Sequence, residues 1–241
     1  RGKTAGQQCW HPTAWVSAGL RIAAVWAGVS TMADNPSLEE SPAPTMAALM
    51  EARRTILPKR LGGPGPDAAQ LRQILEAAAS APDHGQLLPW RFVRLPDSAR
   101  PLLAEAFGQA LQERDAAAST EQLAQAREKA FRAPELLLVV VDIQRGDPEV
   151  DGYERLVSAG CAVQNMLLMA TALGYGSALT SGKALKAQGL RALFALDAGE
   201  HALCFVSIGT VLSCKAGRTR PTPADYVGTL QAPGQVLPGF E

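Results

Sequence analysis

Two adjacent guanidiniums, one loop histidine and a pair of hydroxyls beside glycines are the groups in this chain best suited to chemistry. Arg53 and Arg54 stand in Glu51-Ala-Arg-Arg-Thr-Ile56. A guanidinium forks onto phosphate oxygens through two parallel donors, so two of them beside the Thr55 hydroxyl would clamp an anion. The plainer reading is a pair of cations in the last turn of a helix, where the helix dipole favours them. His84 lies in Ser80-Ala-Pro-Asp-His-Gly-Gln-Leu-Leu-Pro-Trp-Arg-Phe-Val93. Pro82 disfavours helical geometry at Ala81, so the chain leaves a helix there and crosses a polar loop. Polar loops between rigid elements are common ligand sites, and a solvated connection is the alternative. Gly174-Tyr-Gly-Ser-Ala-Leu-Thr-Ser-Gly182 sets Leu179, Thr180 and Ser181 before an open turn. That turn is either a glycine-rich β–α link or a place where backbone can approach a flat ring or a phosphate.

The elements around these groups follow from spacing. Thr45 can cap a helix running to about Arg54, with Met46, Leu49 and Met50 as its buried stripe. Asp67 with Gln70, and Ser119 with Gln122, are capping boxes that open two further helices. The first has Leu71, Ile74, Leu75 and Ala78 on one face and ends at Ser80. Asp97 opens another helix, with Leu103, Phe107 and Leu111 on one side. Arg91 to Leu95 reads as a short strand. The six branched residues from Leu136 to Val141 read as a central strand buried on both faces. Asp151 with Glu154 caps the longest helix, which Gly174 ends. From Leu156 to Gly182 there is no charged residue. Ser158, Gly160, Gln164 and Asn165, and the lack of an aromatic belt, argue against a membrane span there. A helix apolar on nearly every side suits a core or a subunit interface. Tyr175 to Thr180 reads as a strand, Lys183 to Leu196 as a helix, and Ala202 to Ile208 as another buried strand.

The chain has 241 residues, 47% of them hydrophobic, and its 23 basic and 23 acidic residues cancel. That length suits one domain with tails. The balance excludes the basic surface that nucleic acids or anionic membranes attract. Cys9, Cys161, Cys204 and Cys214 form no metal-binding spacing, and His11 and His201 offer His84 no ligand partner. No metal site is expected, and a reduced, cytoplasmic setting is. Residues 1–44 read as a disordered or non-native N-terminal extension. The apolar stretch from Ile22 to Val29 resembles a weak signal-peptide core but is too short to span a membrane. A domain over 45–228 and a tail over 229–241 complete the division. Helices and strands mix without βαβ alternation, and no G-x-G-x-x-G follows a strand, so a Rossmann domain is excluded. An α+β sandwich with one sheet between helices fits.

In order and spacing, Arg-Arg-Thr, then Ala-Pro-Asp-His with Pro-Trp, then the glycine-flanked strand resemble the nitroreductase family of flavin enzymes. The likeness covers about residues 45 to 228. It implies an α+β sandwich with a mostly antiparallel sheet and a long buried helix at the core of a homodimer. It also implies an FMN cofactor reduced by NAD(P)H and reoxidised by a small-molecule acceptor such as a nitroaromatic or quinone. By resemblance, Arg53, Arg54 and Thr55 would hold FMN phosphate, ribityl or ring-edge groups. Ser80 and His84 would line the cofactor site, and Leu179, Thr180 and Ser181 would contact the ring or side chain. Leu179 and Thr180 replace the Trp and Arg frequent in the subgroup. Four residues, Ile56-Leu-Pro-Lys59, also stand where two are usual. A late basic residue, Lys215, Arg218 or Arg220, matches too loosely to be given a role. His84 suits cofactor contact better than acid catalysis, although an imidazole titrates near neutrality. No nucleophile is required of the protein. Two other readings stay open: a flavin-binding protein of the same fold without turnover, and a hydrolase using Ser181 or Ser177 with His84. The hydrolase lacks a G-x-S-x-G elbow and an evident orienting Asp.

Overall fold

The computed structural model describes residues 41–215, 217 and 219–239. The expectations for residues 1–40 lie outside them, as does Arg218. The central strand is β3, Glu135–Asp142. Successive side chains of a strand point to opposite faces, so its apolar run feeds two cores. Leu137 and Val139 join the first, Leu136, Leu138 and Val140 the second. Against one edge of β3 lies β2, Trp90–Arg94, and against the other β5, Glu200–Val211. The other edge of β5 takes β4, Gly176–Thr180, and the last two residues of β5 pair with the short β1, Leu61–Gly62. Every pairing in this sheet is antiparallel. Gly176 permits the crowding there, since a Cβ would lie 2.6 Å from Val211 Cγ2 and 2.9 Å from Leu61 Cδ2.

Helices cover both faces, as an α+β sandwich requires. On one side lie α1, Ala43–Ala52, α2, Ala68–Ala78, and α5, Gly152–Ala172. On the other lie α3, Arg100–Arg114, α4, Thr120–Glu128, and α6, Gln188–Leu193. The first core joins Ile74 and Ala78 of α2 to Ala162, Val163 and Met166 of α5. The second joins Leu103 of α3 to Leu185, Leu190 and Phe205. Both expected capping boxes form. Asp67 Oδ1 accepts from Gln70 N at 2.8 Å, and Ser119 Oγ accepts from Gln122 N at 3.2 Å. Gly174, with φ of 85°, ends α5.

Several boundaries differ from the sequence expectation. Helix α1 begins two residues before Thr45 with no side-chain cap and buries none of its residues; Met46 and Met50 are 47% and 51% exposed. The helix expected over 183–196 breaks at Ala187, whose ψ of 141° is extended. Leu185 and Leu190 would point in different directions on one continuous helix; the break lets both enter the second core. Asp151 caps α5 through Tyr153 N at 2.7 Å, while the Glu154 carboxylate turns elsewhere. The described part of the expected tail is a hairpin. It pairs Gly228–Ala232 with Gln235–Pro238.

Candidate functional site

Arg53 and Arg54 lie just past α1. The Arg53 N–H still donates to Leu49 O at 3.0 Å, but its ψ of 121° turns the chain into extended geometry. The helix expected to reach about Arg54 thus ends two residues earlier, at Ala52, with Arg53 as its C-cap. Thr55 then bridges Ser177 of β4 in parallel, and Ile56 N donates to Ser177 O at 2.9 Å. Ile56 is the anchor, buried with Leu61 and Ala133. This leaves Arg53 half-buried and Arg54 and Thr55 exposed. Strand β4 carries on from that bridge to Leu179, exposed to 44%, and then to Thr180 and Ser181. Six of the sequence-predicted residues thus belong to one edge of the sheet.

Ser80 and His84 are delivered elsewhere. Helix α2 runs antiparallel to α5. Near its start, Tyr175 just beyond α5 donates its hydroxyl to Gln70 Oε1 at 2.6 Å. Past its end, His84 Nδ1 meets Glu154 Oε2 on the first turn of α5 at 2.7 Å. The loop is braced: Leu88 N donates to Asp83 Oδ2 at 2.7 Å, Arg145 Nε to Leu87 O at 3.0 Å, and Trp90 Nε1 to Ser158 Oγ at 3.0 Å. His84 is exposed yet held, which is more than a solvated connection needs.

Within one chain these two groups do not meet. Thr55 sits just beyond the end of α5 and His84 on its first turn; from Glu154 to Ala172 the helix rises about 27 Å at 1.5 Å per residue. Across the sheet, β5 and β3 separate β4 from β2, a lateral distance of about 14 Å at 4.8 Å per strand. Ser177 is buried and Ser181 exposed, and His84 spends its Nδ1 on Glu154. No Ser–His pair of the hydrolase kind is assembled among them.

Thr180 and Ser181 also border a cavity of about 630 Å³ on the α3/α4 side of the sheet. Leu57, Pro58 and Lys59 line it too, so the longer spacer after Arg-Arg-Thr forms part of its wall. Arg100 lines it as well and is 2% exposed. This residue was missed in the sequence, yet the signal existed. It precedes Leu103, Ala104, Phe107 and Leu111 at helical spacing, on the apolar face of α3.

A fixed charge pair braces the sheet near the His84 end. Arg91 forks onto Glu200 at 2.6 and 2.8 Å. That hydrogen-bonded guanidinium holds the Glu200 carboxyl below its ordinary value and raises Arg91. Among the described residues no helix is long and apolar enough to cross a membrane, and no group of three His, Cys, Asp or Glu could hold a metal ion.

Mixed helices around an antiparallel sheet, with a cationic sheet edge, place the chain among α+β proteins of one widespread fold. A Bacillus cereus nitroreductase-like family protein superposes with a TM-score of 0.67 at 17% identity, over 84% of this chain and all of that one. The NADPH:FMN oxidoreductase of Vibrio harveyi, solved with NAD+, superposes at 0.58 and 19% identity over 77% of each chain. Residues 50–210 match the pattern of the Nitroreductase family. A provisionally named NAD(P)H nitroreductase of Haemophilus influenzae is 36% identical over 152 residues, 63% of this chain and 82% of that protein. YdjA of Escherichia coli K12, provisionally named likewise, is 32% identical over 171 residues, 70% and 91% of the two chains. The chain belongs to the nitroreductase family and is an oxidoreductase.

Proposed function

We propose that this protein is an FMN-dependent NAD(P)H oxidoreductase that acts as a cytoplasmic homodimer and reduces a nitroaromatic or quinone-like acceptor. The observation that carries the reading is the sheet edge where Thr55 bridges Ser177. Arg53, Arg54 and Thr55 run along it beside the strand that leads to Leu179, Thr180 and Ser181. That donor set suits a phosphate, a hydroxylated chain and an apolar ring in turn. When bound, the flavin takes a hydride from the nicotinamide and passes electrons to the acceptor.

In this reading Arg53 and Arg54 bind the phosphate by charge-assisted hydrogen bonds. Thr55 and the Thr180–Ser181 turn orient the side chain and ring, and Leu179 excludes water from one ring edge. Ser80 and His84 come from a second copy, since one chain keeps them at the far end of α5. Glu154 fixes the His84 ring through Nδ1, which leaves Nε2 directed at whatever lies beyond it. The outward side of α5 supports the pairing. Tyr153 and Val157 are 78% and 64% exposed there, and the helix carries no charge after Arg155.

The test is an absorbance spectrum of the purified, FMN-reconstituted and desalted protein, followed by anaerobic NADPH or NADH. Retained flavin that bleaches with either nucleotide and recovers with a quinone is expected. Colourless protein removes the reading. Yellow protein that neither nucleotide bleaches leaves flavin binding without turnover.

A further inference from the structure

We propose that the cavity between the sheet and the α3/α4 pair is a second binding site, for an organic carboxylate with a flat apolar body. The walls are apolar. Phe107 and Phe205 meet edge to face there with centroids 5.7 Å apart, flanked by Leu111, Leu136 and Leu185. Such a pair presents ring faces and edges to a third flat group. A volume of about 630 Å³ is in the range of sites for small organic ligands.

Arg100 supplies the charge. Its Nη1 donates to Ala130 O at 2.8 Å, and Nη2 to Ala133 O at 3.1 Å and Pro134 O at 3.3 Å. These acceptors are all neutral backbone carbonyls, and Nε is buried with no partner. Glu135 and Asp97 act on Arg100 only through space, and Glu135 is already forked onto Arg94 by two bonds of 2.9 Å. Burial pulls the Arg100 pKa down, as an unpaired buried cation requires. A buried charge without a counter-ion is costly, and an anion in the cavity would offset that cost. The rim points the same way. Lys59, Arg114, Lys129 and Lys183 surround it, and among the described residues no carboxylate side chain lines the cavity. Cationic rims of this kind concentrate anions at a cleft.

The site is separate from the proposed phosphate clamp. Arg53, Arg54 and Thr55 do not line the cavity, and only Thr180 and Ser181 border both. The inference does not depend on the flavin reading.

The experiment is calorimetric titration of the protein as purified with 2-naphthoate and with neutral 2-naphthamide. Flavin released into the filtrate is measured alongside. One naphthoate per chain, held about tenfold or more tighter than the amide, is expected for a charge-assisted contact. Arg100→Met should remove most of that preference. Ala126→Leu, which fills the cavity from α4 without touching a charge, should weaken naphthoate and leave flavin content unchanged. Should Arg100→Met fail to fold, the rim variant Lys129→Ser with Arg114→Ser must still weaken naphthoate more than the amide. Equal affinity for acid and amide, or unaltered binding in Ala126→Leu, overturns the proposal. So does absence of binding at millimolar ligand. Stoichiometric displacement of flavin by naphthoate overturns it too, by making the cavity the flavin's own pocket.

Discussion

Substituting Val157→Arg places a charge in the second turn of α5, on its outward side. Val157 is 64% exposed in the single chain, with Tyr153 at 78% one turn before it. Full burial of a valine side chain contributes about 1.5–3 kcal/mol, so burying the remaining exposed part would add about 1–2 kcal/mol per chain. A twofold interface uses each residue twice, which doubles the loss to about 2–4 kcal/mol. Desolvating two like charges adds to that cost. A loss of 4 kcal/mol is about a thousandfold in Kd, enough to turn a nanomolar dimer into a micromolar one. Light scattering coupled to gel filtration, over a concentration series, reads the change. The wild type should run as a dimer throughout and the variant should dissociate on dilution. A wild-type monomer, or a variant dimer of unchanged affinity, would refute the reasoning.

Other outcomes follow from single residues. Arg53→Ala should lose a charge-assisted bond worth about 1.5–3 kcal/mol, weakening FMN retention by about ten- to a hundredfold in equilibrium dialysis. Unchanged affinity would remove Arg53 from the site. Because Arg91 holds the Glu200 carboxyl below its ordinary value of 4.5, the stability it confers is present above that value. It is lost as pH falls through the depressed one. The urea midpoint should therefore drop on acidification below about pH 4.5, and Glu200→Gln should flatten that drop. At neutral pH Glu200→Gln should cost about 1–3 kcal/mol, less than a fully buried pair because Arg91 stays partly solvated. Burial pushes the Cys204 thiol up to about 11, whereas Cys161 is half-exposed. A thiol reagent at pH 7.5 should reach Cys204 only in denaturant, and Cys161, on the side of α5 that the proposed dimer covers, more slowly in the dimer than in a dissociated variant; prompt native labelling of Cys204 would contradict its burial.

The local signals in the sequence were reliable wherever a short segment decides its own structure. Asp67 with Gln70 and Ser119 with Gln122 form their capping boxes because both partners lie three residues apart. The run from Leu136 to Val141 needs no partner to declare itself buried on both faces. Gly174 ends α5 through its own backbone freedom. What stayed hidden was set by distant contacts. Glu154 leaves its expected cap because His84 lies within reach in the fold. The helix after Lys183 breaks at Ala187 because two leucines share one core. Arg53 and Arg54 leave α1 because Ile56 must be buried, and Met46 and Met50 remain exposed because none of the described residues covers them. Arg100 carried a helical-spacing signal, but a charge on an apolar face reads as an exception until the neighbouring carbonyls are seen. The candidate site divides in the same way. Its residue types were legible, but the separation of Ser80 and His84 from the other six follows from the antiparallel packing of α2 on α5.

The shared site makes a prediction that a self-contained one does not. Arg53→Ala and His84→Ala chains, each poor in flavin alone, should be co-expressed with different tags and the mixed dimer isolated. In that dimer one site carries both substitutions and the other carries neither, so flavin should return to about one per pair with the affinity of the wild type. A mixed dimer that holds no more flavin than its two parents would contradict a site built from two copies.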